Sequence, residues 1–367
     1  MQSDPNVPWV EKYRPRKLDD ISQNECLINL FKNSIKTANL THFLFYGPPG
    51  TGKTSAILAI GRELFKEYFP TRVVEFNASD DRGINAVREK ISNEARKDVT
   101  EAISEDGTII PAYKIIILDE ADSMTDEAQD ALRVIIEQHS RVTRFCFICN
   151  SITKIADAIK SRCATIYFKK LNDECMVNKL AEISKKESMD LSEEILKTII
   201  NISNGDMRKA IMLLQNLKYL YKFKNRFTKQ LNEMTIKELN SLAITDINSE
   251  RDSNITVSDI YEIASSIDMK MAHNIIKDTI ACKRIIDVSV LTKQIISKGY
   301  PIDNILSQLN KEVIETNILT DDQKAGIIQY SGKILFKIKE CANEYIQLLD
   351  YLACVHGIYQ GNTVYTK

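Results

Sequence analysis

The stretch "GPPGTGKTS", Gly47 to Ser55, constrains this chain more than any other. It follows the short apolar run "THFLFY" and leads into "TSAILAIGRELFKEYF", whose apolar residues recur at helical spacing. Strand, glycine-rich turn and helix in that order match the phosphate-loop pattern G-x-x-x-x-G-K-[ST] in the context it requires. The physical logic is local. Gly47, Gly50 and Gly52 let backbone N–H groups close around phosphate oxygens in a loop completed by Pro48, Pro49, Thr51 and Ser55, and the helix N-terminus adds positive potential. Lys53 is expected to reach the β- and γ-phosphates of a nucleoside triphosphate, and Thr54 to hold magnesium.

A phosphate loop of this kind belongs to a parallel sheet, and the rest of the first half supplies one. "RVVEFNAS", "YKIIILDEAD", "RFCFICN" and "ATIYF" are further short apolar runs. Helical patterns lie between them, as in "GINAVREKISNEARK", "TDEAQDALRVIIEQH" and "TKIADAIKS". Strands alternating with helices predict an α/β domain, its sheet covered on both faces, over residues 1–171. From there the pattern is helical only, giving a small helical lid expected at 172–224. The polar stretch at 225–254 reads as a linker or surface insertion, and 255–367 as a separate all-α domain.

Composition sets the outer limits. A chain of 367 residues exceeds one ordinary core. An apolar fraction of 44% and a charged fraction of 27% are those of a folded, water-exposed protein, and no apolar run approaches membrane-spanning length. The opening "MQSDPNVPWVEKYRP" lacks the apolar core of a signal peptide. Eight scattered cysteines suggest a reducing compartment. Cys146 and Cys149 have C-x-x-C spacing but lie in a strand-like run, where residues three apart face opposite ways, and no second pair completes a zinc site. A net charge of −1 argues against a surface coated with basic patches and leaves room for a few placed cations.

Five further residues carry chemistry. "IIILDEAD" is an apolar strand ending in acids; Asp119 suits magnesium and Glu120 suits a general base that polarises the attacking water. Asn150 ends the next strand, on the side where such sheets bind ligands, and an uncharged polar group there orients water or senses the γ-phosphate. Arg208, in "NGDMRKA", occupies the first turn of a helix, an unfavourable place for a cation unless a phosphate lies near. Arg162, in "AIKSRCATIYF", has no carboxylate within four residues on either side. The plain alternative for Arg162 is a helix-terminal arginine bonded to carbonyls.

"PWVEKYRP", "GPPGTGKTS", "NASDDRGI", "LDEADSMT", "TRFCFICN", "SRC" and "GDMRKA" occur in the order found in replication factor C small subunits, the clamp loaders of the AAA+ ATPases. The resemblance covers about Pro8 to Leu217, and the part from about Ile255 resembles that family's helical collar; "SEDGTIIPAY" and "NKEVIETNILTDDQKAGI" are most similar to the subunit 4 type. The resemblance implies an ATP- and Mg2+-dependent ATPase of a heteropentamer with other replication factor C subunits. It also implies the sliding clamp PCNA and primer–template DNA as partners, and a nuclear location. By position, it places Val10 and Arg14 beside the adenine and makes Asn150 and Arg208 the two nucleotide sensors. Arg162 becomes an arginine finger acting in trans on the neighbouring subunit's γ-phosphate. Arg82, Arg88 and Lys90 become contacts to duplex phosphates. Two departures stand out: Val134 occupies the second arginine position of the usual "ALRR", and the polar insertion near Asn232 to Asp252 has no counterpart role. Alternative readings are a nucleotide-binding scaffold without turnover and another AAA+ DNA-associated machine.

Overall fold

The computed structural model describes residues 7–21, 25–79, 87–189, 191–233 and 255–361. They divide into two compact units, Met1–Gln215 and Asn216–Lys367.

The first unit is built on a five-stranded parallel sheet, in the order β2-β5-β6-β1-β7. Its strands are β1 (Phe43–Tyr46), β2 (Val73–Asn77), β5 (Lys114–Asp119), β6 (Thr143–Cys149) and β7 (Ala164–Tyr167). Each arises from one of the apolar runs that the sequence marks. Register pairs Phe43 with both Cys146 and Ala164, and Ile117 with Cys146. Successive side chains alternate between two cores. Phe43, Phe45, Ile115, Ile117 and Ile148 pack on one face with Phe31 and Ile57. Leu44, Ile116, Leu118, Phe145 and Phe147 pack on the other with Leu132 and Ile135. Cys146 and Cys149 fall in different cores, and burial pushes the Cys149 thiol up to about 12. Both are inert apolar side chains. Two short strands missing from the sequence reading, β3 (Ala102–Ile103) and β4 (Ile109–Ile110), form a separate antiparallel ribbon.

The helices that frame the site are α1 (Trp9–Lys12), α2 (Glu25–Lys36), α3 (Lys53–Phe65), α4 (Asp126–His139) and α5 (Asp157–Lys160). Those of the lid are α6 (Asp173–Lys186), α7 (Glu193–Ser203) and the start of α8 (Met207–Glu233). Side-chain caps fix several starts: the Thr125 hydroxyl accepts from Ala128 N at 3.3 Å, and the Ser192 hydroxyl from Ile195 N at 3.5 Å.

The structure adds detail at two places. The lid boundary expected at 224 falls inside α8, which continues to Glu233. The run "GINAVREKISNEARK" is helical over 87–96 of its described part, opening on a π-helical turn, Val87–Ile91, that passes directly into Ser92–Arg96.

Beyond α8 the second unit contains α9 (Val257–Ile263), α10 (Met269–Ala281), α11 (Ile285–Ile296), α12 (Ile302–Glu315), α13 (Asp321–Lys339) and α14 (Glu344–Tyr359). One core holds α10 to α14, with Ile276, Leu306, Leu309 and Tyr351 enclosed. Among the described residues no helix is long and apolar enough to cross a membrane.

Candidate active site

Strand order decides where the site lies. β1 sits between β6 and β7, and β5 lies beside β6, so the C-terminal ends of β1, β5 and β6 open side by side. Those ends carry the phosphate loop, Asp119 and Asn150. A cavity of about 280 Å³ forms there, and the lid contributes Met207, Arg208 and Ile211 to its wall.

The loop needs its glycines for stated reasons. At Gly47, φ is +142° and a Cβ would stand 2.3 Å from the Phe168 carbonyl oxygen. At Gly50, φ is +70° and a Cβ would stand 1.9 Å from Asp206 Oδ1. Asp206 caps α8, accepting from Arg208 N at 2.8 Å and Lys209 N at 3.3 Å. The close approach at Gly50 thus brings the lid helix that carries Arg208 against the phosphate loop.

Lys53 is 7% exposed. Its ammonium donates to the carbonyls of Gly47 and Pro48, both at 2.7 Å, and to Asn150 Oδ1 at 3.2 Å. Burial lowers its pKa from the ordinary lysine value, opposed by nearby Asp119. A desolvated cation held by neutral oxygens suits an anionic ligand. Thr54 donates to Asp119 Oδ2 at 2.8 Å. This hydroxyl and carboxylate are the hard oxygen ligands that magnesium prefers, in a site where phosphates supply the rest. No cluster of three or more His, Cys, Asp or Glu side chains that could hold a metal occurs among the described residues.

Glu120 adopts a left-handed conformation, φ 54° and ψ 38°. For a residue with a Cβ this costs roughly 1–2 kcal/mol. Two hydrogen bonds hold the turn: Glu120 N donates to Asp119 Oδ1 at 2.9 Å, and Ser123 N to the Glu120 carbonyl at 2.9 Å. The turn leaves the Glu120 carboxylate exposed at the rim of the cavity.

The N-terminal arm forms one end of the cavity. Val10 and Arg14 line it with Ile21, Leu171 and Ile211. Arg14 Nε lies 3.4 Å from Ser55 Oγ, and its guanidinium pairs with Glu11 at 3.2 Å. The arm is clasped to the lid: Trp9 N donates to Gln215 Oε1 at 3.0 Å, and Tyr13 OH and Lys12 Nζ both donate to Glu187 Oε1, at 2.6 and 2.5 Å.

Most of the sequence-predicted residues therefore meet at one place: Val10, Arg14, Pro49, Gly50, Thr51, Gly52, Lys53, Thr54, Ser55, Asp119, Glu120, Asn150 and Arg208 all line the cavity. Gly47 and Pro48 lie just behind, their carbonyls holding Lys53. Arg162 is elsewhere. It donates to Ala158 O at 2.7 Å, to Ser161 Oγ at 3.3 Å and to Glu137 Oε1 at 2.5 Å. Lys90 is exposed on the π-helical turn. Arg82 and the side chain of Arg88 lie outside the described residues. Sequence reasoning missed Asp206, Glu187 and Lys179, which also lines the cavity. Only Asp206 left a signal, as a cap candidate before "MRKA".

A parallel sheet with a phosphate loop, an acidic strand end and a helical lid defines a nucleotide-hydrolysing P-loop module of the AAA+ type. Comparison with known proteins agrees and narrows the class. The family model "ATPase family associated with various cellular activities" matches residues 43–171. The RCF1/5-like AAA+ ATPase lid domain matches 178–218, and the Replication factor C C-terminal domain matches 255–354. A protein of Acanthamoeba polyphaga mimivirus described as a replication factor C small subunit is 66% identical over 98% of this chain and 99% of its own length. Human replication factor C subunit 4 is 39% identical over 95% of this chain and 88% of its own. Replication factor C subunit 2 of Schizosaccharomyces pombe is 37% identical over 95% and 94%. The chain belongs to the replication factor C small subunit family, the AAA+ ATPases of clamp loading in DNA replication. It binds ATP, hydrolyses it and associates with other replication factor C subunits. The human relative is subunit 4, the type the sequence resembles, and the relative named subunit 2 in Schizosaccharomyces pombe stands at nearly equal identity.

Proposed function

We propose that this chain is a working ATPase position in a heteropentameric clamp loader. ATP binding drives it to help open a ring-shaped clamp of the PCNA type and grip primer–template DNA; hydrolysis releases the closed clamp. The observation that carries this reading is the convergence of Lys53, the Thr54–Asp119 pair, Asn150 and the lid residue Arg208 on one cavity.

The roles follow from position and charge. Lys53 exchanges its carbonyl partners for β- and γ-phosphate oxygens, forming stronger, charge-assisted bonds. Thr54 and Asp119 hold Mg2+, which when bound neutralises charge on the phosphates. Glu120 accepts a proton from the attacking water. Asn150, bonded to Lys53, sits where it senses the γ-phosphate. Arg208 joins the lid to the phosphates, so nucleotide state moves the lid. Arg162 serves the adjacent subunit's site in trans. Arg82, Arg88 and Lys90 track duplex phosphates without reading bases, a role that requires cations and no sequence contacts. Nuclear action belongs to the same proposal.

The test is native mass analysis of this chain co-expressed with its replication factor C partners, followed by binding of clamp and primer–template DNA across a salt series. A five-subunit assembly whose DNA affinity falls with salt and ignores sequence supports the proposal. A homohexamer would favour another AAA+ machine.

A further inference from the structure

We propose that Glu137 is a positioning residue for Arg162, holding the guanidinium in the orientation from which it serves the neighbouring subunit's triphosphate. The inference rests on the proposed role of Arg162 as a finger in trans.

Three contacts fix the Arg162 head group. One terminal nitrogen donates to Ala158 O at 2.7 Å and Ser161 Oγ at 3.3 Å, both beside its own short helix. The other donates to Glu137 Oε1 at 2.5 Å, from the last turn of α4. The first two contacts are local and tether the arginine to its own backbone. Glu137, 25 residues earlier, is the acceptor that ties it to a different element. A guanidinium has five N–H donors in a rigid fork. These contacts use three, and Nε–H and one terminal N–H have no acceptor among the described residues. Two donors are thus left for a phosphate oxygen while the rest of the head group is held.

The pair positions Arg162 and does not restrain it. Arg162 and Glu137 are 34% and 48% exposed. An ion pair of that exposure shifts an equilibrium by no more than about fivefold. A triphosphate carries several negative charges, and a finger is worth on the order of 10³–10⁵ in rate in other NTPases. The weaker contact cannot hold the arginine away from that target. It does reduce the number of rotamers the side chain samples before engagement, which is where a long side chain loses entropy. Lys160 does not compete for Glu137, since it pairs with Asp157 at 3.0 Å.

The experiment uses the assembled complex, with every ATP site disabled except the one facing Arg162. Arg162→Ala is measured first, then Glu137→Ala, Glu137→Gln and Glu137→Ala combined with Arg162→Ala. Glu137→Ala should lower kcat at that site by up to about fivefold, the limit set by the exposure of the pair, and leave KM for ATP unchanged. Glu137→Gln retains an acceptor for the same N–H and should keep most of the rate. In the Arg162→Ala background, Glu137→Ala should have no further effect. Because Glu137 is half exposed, its variants should fold normally, and hydrolysis at this chain's own site, assayed separately, should be unchanged. If Arg162→Ala leaves the facing site at full rate, the finger reading fails and this inference fails with it. If Arg162→Ala abolishes turnover while Glu137→Ala leaves kcat unchanged or raises it, the positioning role alone is overturned.

Discussion

Replacing Gly50 with alanine tests the contact between phosphate loop and lid, and its cost follows from two separate terms. At φ +70° an alanine pays the left-handed penalty, roughly 1–2 kcal/mol. Its Cβ would also stand 1.9 Å from Asp206 Oδ1, so the carboxylate must leave. That carboxylate accepts from Arg208 N and Lys209 N, and losing such a cap costs about 1 kcal/mol. Gly50→Ala should therefore destabilise the first unit by about 2–3 kcal/mol. Asp206→Ala alone should cost about 1 kcal/mol. The double variant should cost no more than Gly50→Ala, because the cap is already lost, giving a coupling of about 1 kcal/mol. Urea unfolding followed by fluorescence of Trp9, the single tryptophan, reports on this unit: Trp9 is 7% exposed, and its N–H bonds to Gln215 on the lid helix. ATP affinity should drop in parallel, on the order of tenfold, as the helix start bearing Arg208 shifts. Strictly additive single variants, or a Gly50→Ala protein of wild-type stability, would refute the contact and the link from loop to lid.

Two further outcomes follow from local electrostatics. His42 accepts from Phe145 N at 3.1 Å, and burial, with Arg144 nearby, lowers its pKa from 6.5 to about 4. Because the folded value is the depressed one, stability is whole above pH 6.5 and declines as pH falls toward 4; the half-buried ring limits the loss to about 2–3 kcal/mol. Urea midpoints measured across that range should show the decline and His42→Asn should flatten it; an unchanged slope in the variant would assign the acid sensitivity elsewhere. Glu187→Gln removes the charge that Lys12 and Tyr13 share, loosening the arm that lines the cavity. ATP should bind a fewfold more weakly by calorimetry, with thermal stability nearly intact, and equal affinity would detach the clasp from nucleotide binding.

The chemistry of the site was more legible in the sequence than its supports. β1 and β5 lie inside the sheet as largely apolar runs buried on both faces, so Phe43–Tyr46 and Lys114–Asp119 were visible without tertiary information. The phosphate loop and acidic strand end announced themselves because function restricts their residue types. The ribbon at Ala102–Ile103 and Ile109–Ile110 was invisible because two-residue strands carry no period. The extension of α8 through "KFKNRFTKQLNE" was hidden because its composition resembles a linker. Long-range pairings were out of reach for a different reason. The acceptor of Arg162 is 25 residues away on α4, and that of Tyr13 is 174 residues away at the end of α6. Spacing along one element predicts neighbours on that element alone.

The central claim is that ATP is turned over at this chain's own site, and Glu120→Gln tests it most directly. Glutamine keeps the shape of the left-handed turn at φ 54° and removes the base. Complexes are assembled with wild-type partners, clamp and primer–template DNA, carrying either wild type or Glu120→Gln in this chain alone, and phosphate release is timed in a single turnover. The account predicts normal ATP binding by the variant and loss of the fraction of phosphate released from this site. Equal release by the two complexes would contradict it and leave the chain a nucleotide-binding scaffold.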